Sequence, residues 1–171
     1  MKNSIKEKIK LVKLIATDVD GTLTDGGMYY SVQGDVMKKF HARDGMGVNL
    51  LKRRKIPTIL ITKEKNPINK KWAKNMNIEK TFDGIQQKEK LIKKICNEFK
   101  VRPEEICYIG DDVNDIELLK IVGLSACPAD ANYLVKKESD IILTNQGGKG
   151  ALREIGDMVI SVKFSKEKKI Y

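Results

Sequence analysis

Five short apolar runs recur along the chain, at 13–18, 57–62, 106–110, 124–127 and 141–143. Each is rich in Ile, Val or Leu, and each is followed by polar residues or glycine. Continuous apolar runs of this length are the pattern of strands buried on both faces. Between them lie stretches of helical spacing at 47–55, 67–76, 86–99, 115–121 and 151–160. In 86–99, for example, Leu91, Ile92, Ile95 and Phe99 fall on one helical face. This alternation predicts an α/β fold with a doubly wound, Rossmann-like parallel sheet. One segment breaks it. Met28-Tyr29-Tyr30-Ser31 and Val36-Met37-Lys38-Lys39-Phe40 flank Gln33-Gly34, which predicts an inserted β-hairpin exposing Met28, Tyr29, Tyr30 and Phe40 together. Pro103, Glu104 and Glu105 read as a short helical turn.

A chain of 171 residues fits one domain with a real core. We place the core at about 11–160, the hairpin flap at about 27–40 and a Lys-rich tail at 161–171, extending from the core. No apolar run approaches the roughly 18 residues that would span a bilayer. The Lys-rich N-terminus runs straight into an acidic motif without a cleavage-site pattern, so a cytoplasmic location is expected. Cys96, Cys107 and Cys127 lack metal-type spacing and are odd in number, which reads as free thiols. His41 is the only histidine, which excludes a His-rich metal site and a Ser-His-Asp engine. The formal net charge of +10 comes from scattered lysines without interleaved aromatics. That is a solvated surface that favours phosphorylated metabolites and not a nucleic-acid path.

In a doubly wound sheet, ligands bind outside the carboxyl ends of the strands. Reading those ends in order gives Asp18 and Asp20, then Thr62, then Asp111, Asp112 and Asp115, with Lys88 opening the helix that follows Gly84. So many carboxylates on one rim cannot all stay ionised without a cation, and an all-oxygen donor set suits Mg²⁺. A carboxylate beside Mg²⁺ can attack phosphorus, because the metal neutralises the repulsion between two anions. A second carboxylate two residues on projects to the same side and can protonate a leaving oxygen, then deprotonate water. Thr62 can donate to a phosphoryl oxygen, and Lys88 can supply compensating charge.

These residues resemble the four motifs of the haloacid dehalogenase superfamily: DVDGTLTDG at 18–26, Thr62, Lys88 and GDDVND at 110–115, in the right order. DGGMYY, FHARDGMG, IPTILIT and GGKGALRE are further similar to the small-cap subgroup that dephosphorylates 3-deoxy-2-ulosonate phosphates. Its known members include the 3-deoxy-D-manno-octulosonate 8-phosphate phosphatases and the nonulosonate 9-phosphate phosphatases of lipopolysaccharide or sialic acid biosynthesis. The resemblance implies no large cap domain, and a homotetramer whose hairpins associate and whose neighbouring subunits close the site. It implies Asp18 as nucleophile and Asp20 as general acid/base. Mg²⁺ would be held by Asp18, the backbone carbonyl of Asp20, and Asp111, with Asp112 and Asp115 behind them. His41, Ala42, Arg43, Asp44 and Gly45, with Asp20, Glu64 and Asn114, would face the small phosphorylated sugar acid.

The sequence departs from that pattern at the second motif, which reads Thr62-Lys63-Glu64 where octulosonate phosphatases carry Thr-Gly-Arg. Two further basic pocket positions are filled by Asn49 and Trp72, and Trp72 reads as a subunit contact or pocket wall. A glutamate at position 64 resembles the nine-carbon branch, where a lysine partners it; Asn75 stands at the matching place, with Lys71 or Lys74 as substitutes. Lys63 and Lys65 read as exposed charge, and Gly147-Gly148-Lys149-Gly150 as a phosphate loop or a structural turn. Two other classes compete with the enzyme: a receiver-like phospho-acceptor domain and a non-catalytic scaffold related to domains fused to cytidylyltransferases. A receiver has no use for Asp20 beside its phospho-acceptor, and carboxylates kept without catalysis would only destabilise a scaffold.

Overall fold

The computed structural model describes residues 3–165. The strands are β1 (Leu14–Thr17), β2 (Tyr29–Ser31), β3 (Gly34–Met37), β4 (Thr58–Ile61), β5 (Lys80–Phe82), β6 (Ile106–Ile109), β7 (Leu124–Cys127) and β8 (Ile141–Ile142). The helices are α1 (Asn3–Leu11), α2 (Ala42–Arg53), α3 (Pro67–Asn75), α4 (Ile92–Phe99), α5 (Ile116–Ile121), α6 (Tyr133–Glu138) and α7 (Ala151–Lys163). Six strands form one sheet in the order β5-β4-β1-β6-β7-β8, with all neighbours parallel. This is the doubly wound sheet that the sequence predicts.

Residues of β1, β4, β6 and β7 are buried at every position, which explains their unbroken apolar runs. Alternate residues serve opposite layers. Ile15, Leu60, Cys107, Ile109, Leu124 and Ala126 pack with the buried residues of α1, α2 and α7. Leu14, Ala16, Ile59, Ile61, Ile106 and Tyr108 pack with Ile95, Leu118, Leu119 and Val135 from α4, α5 and α6. Each such aliphatic side chain contributes roughly 1.5–3 kcal/mol by leaving water.

Several elements differ from the sequence expectation. The Lys-rich N-terminus is helical, with Ile9 fully buried and Ile5 packed against the core. Helix α2 begins at Ala42 and not near Gly47, because Gly45 and Gly47 are sites of close approach and not helix breakers. A Cβ at Gly45 would meet the Met76 sulfur at 2.2 Å. Strand β5 and helix α6 are too short and too polar to stand out in sequence. Helix α7 runs on to Lys163, and Phe164 packs against the core, so the start of the predicted tail belongs to the domain. The rest of that tail, 166–171, lies outside the described residues. β2 and β3 form the separate antiparallel hairpin, with Gly34 at a φ of +107° in its turn. Phe40, predicted to be exposed with it, is instead stacked on Trp72, ring centroids 4.6 Å apart and ring planes nearly parallel. All three cysteines are free.

Candidate active site

From β1 the chain moves outward to β4 and β5, then returns to β6 on the other side of β1. The crevice at such a reversal is where ligands bind in open parallel sheets. Here it is a cleft of about 730 Å³ lined by Asp18, Asp20, Thr62, Lys63, Glu64, Lys65, Gln86, Asp111, Asp112 and Asn114, among others. Asp18 leaves β1 with its N–H donating to the Ile109 carbonyl at 2.9 Å. Thr62 leaves β4 in the same way, donating to Phe82 at 2.9 Å. Three neighbouring strands thus deliver Asp18, Thr62 and Asp111 to one rim.

Lys88 lies almost wholly buried beneath that rim. Its ammonium is 2.9 Å from Asp18 Oδ2, and donates to Asp115 Oδ1 at 2.6 Å and Tyr108 Oη at 3.2 Å. Tyr108 in turn donates to Asp115 Oδ1 at 2.6 Å. Asp115 Oδ2 accepts the backbone N–H groups of Asp111 at 2.9 Å and Asp112 at 3.3 Å. Asp115 therefore organises the loop and holds the lysine. Asp112 caps the turn that follows it, accepting from Val113 N–H at 2.8 Å.

Asp18, Asp111 and Asp115 each place an oxygen within 4.8 Å of the others'. Both oxygens of Asp115 already accept hydrogen bonds, which leaves Asp18 and Asp111 as carboxylates facing a cation. Burial, then the charge of Asp115, push Asp18 up to about 7 against the opposing pull of Lys88. Burial, then Asp18 and Asp115, push Asp111 up to about 8. Burial works to lower Lys88, but Asp18 and Asp115 outweigh it and hold its ammonium charged. Repulsion of this kind is what a divalent cation relieves, and the donors are all oxygen, so the residues fit one. Thr22 Oγ1 steadies Asp111 Oδ1 at 3.2 Å. Gly21, at φ +82°, makes room for it: a Cβ there would lie 2.0 Å from Asp111 Oδ2.

Asp20 is more open, and its Oδ1 accepts from Lys38 of the hairpin at 2.6 Å. Burial raises its pKa despite Lys38. Glu64 pairs with the same ammonium, whose hydrogen bond and charge overcome burial and hold its carboxyl below the usual range. The partner of Glu64 is therefore Lys38, and not Lys71 or Lys74. A lysine two residues from a hairpin apolar stripe carries no sequence signal of that role, and neither Lys38 nor Tyr108 was legible as a site residue.

Other expected substrate-facing residues lie elsewhere. His41 caps α2, its Nδ1 accepting from Arg43 N–H at 3.2 Å. Asp44 is fully buried, and its Oδ1 accepts from Arg153 N–H at 2.9 Å in the first turn of α7. There a carboxylate complements the helix dipole. Gly45 packs against Met76, and Arg43 lines a separate groove with Asn145 and Arg153. None of His41, Ala42, Arg43, Asp44 and Gly45 lines the cleft. Asn49 bonds Gly45 and Asn77, and Trp72 stacks on Phe40 as part of the core, so neither is pocket wall. The 147–150 loop is structural: Gly148 N–H donates to Thr22 at 3.1 Å, and a Cβ at Gly147 would sit 1.9 Å from the Gly21 carbonyl.

The sequence pattern of the haloacid dehalogenase-like hydrolases matches residues 54–155. The 3-deoxy-D-manno-octulosonate 8-phosphate phosphatase of Haemophilus influenzae is 35% identical over 159 residues, 93% of this chain and 88% of that protein. Its cobalt-bound structure superposes with a TM-score of 0.89 over 92% of both chains. The corresponding phosphatase of Moraxella catarrhalis, solved with magnesium, phosphate and KDO, gives 0.92 at 29% identity, over 96% of this chain and 95% of that one. With the four motifs gathered on one rim, the chain belongs to the haloacid dehalogenase-like hydrolases, as a phosphatase.

Proposed function

We propose that this phosphatase removes the terminal phosphate of a 3-deoxy-2-ulosonate phosphate through an aspartyl phosphate, with Mg²⁺ as its resident cation. The observation that carries the reading is Asp18 and Asp20 at one mouth of the cleft, with Lys88 on the first and Thr62 beside them. Asp18 attacks phosphorus, and the leaving oxygen takes a proton from Asp20. Asp20 then removes a proton from the water that opens the acyl phosphate. The Thr62 hydroxyl donates to a phosphoryl oxygen, and Lys88 offsets the charge gathering on Asp18. Asp18, Asp111 and the Asp20 carbonyl would hold a divalent cation, which would supply the charge neutralisation that lets two anions meet.

Lys63 and Lys65 line the cleft on either side of Glu64 and offer cations to the substrate's carboxylate. With Glu64 drawn into an ion pair with Lys38, the eight-carbon octulosonate 8-phosphate is the favoured substrate. A nine-carbon nonulosonate 9-phosphate is the second reading, because the Glu64 side chain stays 38% exposed in the cleft and can accept from a longer polyol tail. The test is turnover of both acids and of p-nitrophenyl phosphate, with Mg²⁺ and in excess chelator. Turnover of neither sugar acid refutes the substrate class, and full activity in chelator refutes the metal.

A further inference from the structure

Lys38 lies between residues that are exposed, yet its own side chain is only 4% exposed. Its ammonium bridges carboxylates from three separate segments. Asp20 follows β1, Glu64 follows β4, and Asp35, 3.8 Å away, belongs to the hairpin itself. Asp35 Oδ2 also accepts from Asn66 Nδ2 at 3.1 Å, so the hairpin is tied to the loop before α3 as well. Among the described residues, Lys38 is the one cation paired with the Asp20 carboxylate; its other side-chain contact is the Glu64 carboxyl, which opposes its charge and does not anchor it. A carboxylate with one anchor takes its orientation from that anchor.

Leaving-group protonation needs the free oxygen of Asp20 within hydrogen-bond reach of the departing oxygen, and small misplacement of such a group is costly. With Oδ1 held by Lys38, Oδ2 is the oxygen left to serve the substrate. We propose that Lys38 is a positioning residue: it fixes the Asp20 carboxylate in the cleft and shares its ammonium with Glu64, so that docking of the hairpin and alignment of the acid/base are one event. This rests on the reading of Asp20 as the acid/base. Lys38 is not among the residues lining the cleft, and its ion pairs are with Asp20, Asp35 and Glu64 and not with Asp18 or Asp111, so its effect passes through Asp20. Glu64 shapes the same arrangement from the opposite side, competing with Asp20 for the ammonium.

The test compares wild type with Lys38→Met and Lys38→Arg on two substrates. In octulosonate 8-phosphate the departing alkoxide must be protonated as the P–O bond breaks; p-nitrophenolate leaves without a proton. Lys38→Met is expected to lower kcat/KM on the sugar phosphate by about 10- to 100-fold, within the range of general acid catalysis. On p-nitrophenyl phosphate the loss in kcat/KM, which reports formation of the aspartyl phosphate and not its hydrolysis, stays within about threefold, and Lys38→Arg restores much of the activity. Equal losses in kcat/KM on both substrates, or none, overturn the proposal. A crystal structure of Lys38→Met decides independently of turnover: the Asp20 carboxylate leaves its wild-type orientation, and an unmoved carboxylate overturns the assignment. Were the wild type inactive on the sugar phosphate, the substrate reading would fail while this structural arm still judged Lys38.

Discussion

Lys88 donates to Asp115 at 2.6 Å from a position that is 1% exposed, while the same ammonium sits 2.9 Å from Asp18. One buried cation thus serves two buried carboxylates, Asp115 beneath the rim and Asp18 at the cleft wall. Replacing it by methionine leaves those carboxylates unpaired, a change that typically costs about 3–5 kcal/mol. Lys88→Met is expected to lose about that much in urea unfolding with chelator present, and less with Mg²⁺, which screens Asp18. A variant as stable as wild type in chelator would show that the ammonium is not the counter-charge.

Asp18→Asn and Asp20→Asn are nearly isosteric, but an amide is a poor nucleophile and cannot shuttle a proton. Each is expected to lower kcat by on the order of 10³-fold or more, at the upper end of what general acid/base catalysis supplies. Trapping with acid should show phosphorylated protein for Asp20→Asn and none for Asp18→Asn. Phosphoprotein in the Asp18 variant would place the nucleophile elsewhere.

Gly21→Ala brings a methyl group to 2.0 Å from Asp111 Oδ2, at a φ of +82° that alanine resists. The backbone term alone costs about 1–2 kcal/mol. Asp111 must also move, so the Mg²⁺ concentration for half-maximal activity should rise at least tenfold, read from a metal titration. An unchanged metal requirement would remove Asp111 from the ligand set.

Glu105 accepts from Lys13 at 2.8 Å and from Arg102 N–H at 2.9 Å, which hold its carboxyl down at about 2. Its contribution is present above the ordinary glutamate range, near 4.5, and is lost as pH falls from there towards about 2. Glu105→Gln should therefore be less stable than wild type at neutral pH and show a flatter decline in that acid window. Parallel melting curves of the two proteins from neutrality to pH 3 check this.

The hairpin exposes Met28, Tyr30, Val32, Val36 and Met37 on one small element, more apolar surface than a lone flap usually carries. A homotetramer joined through it is the expected state in solution. Light scattering at micromolar concentration should give four times the chain mass, and Tyr30→Glu with Val32→Glu should lower it. A monomeric wild type refutes the assembly.

The rim of the cleft was legible because its polar residues lie at strand ends that the apolar pattern locates: Asp18 and Thr62 follow β1 and β4 directly, and Asp111 follows β6 after one intervening residue. What escaped was whatever depended on contact between distant segments. Tyr108 reads as one more residue of a buried strand, and only the fold turns its hydroxyl to Lys88 and Asp115. Lys38 reads as hairpin surface until docking encloses it. At Asp44 and His41, polar residues in a motif-like run, the fold shows helix capping and no place in this chain's cleft. Gly45 misled in a similar way, since a glycine demanded by Met76 looks in sequence like the end of a helix.

The stack of Phe40 on Trp72 has a practical consequence. Trp72 is the only tryptophan in the chain, and its ring lies against the residue that ends the hairpin segment. Its emission is therefore a built-in optical probe of whether the hairpin is seated on the domain. Stopped-flow mixing with substrate can follow that seating in real time, with no label attached to the protein.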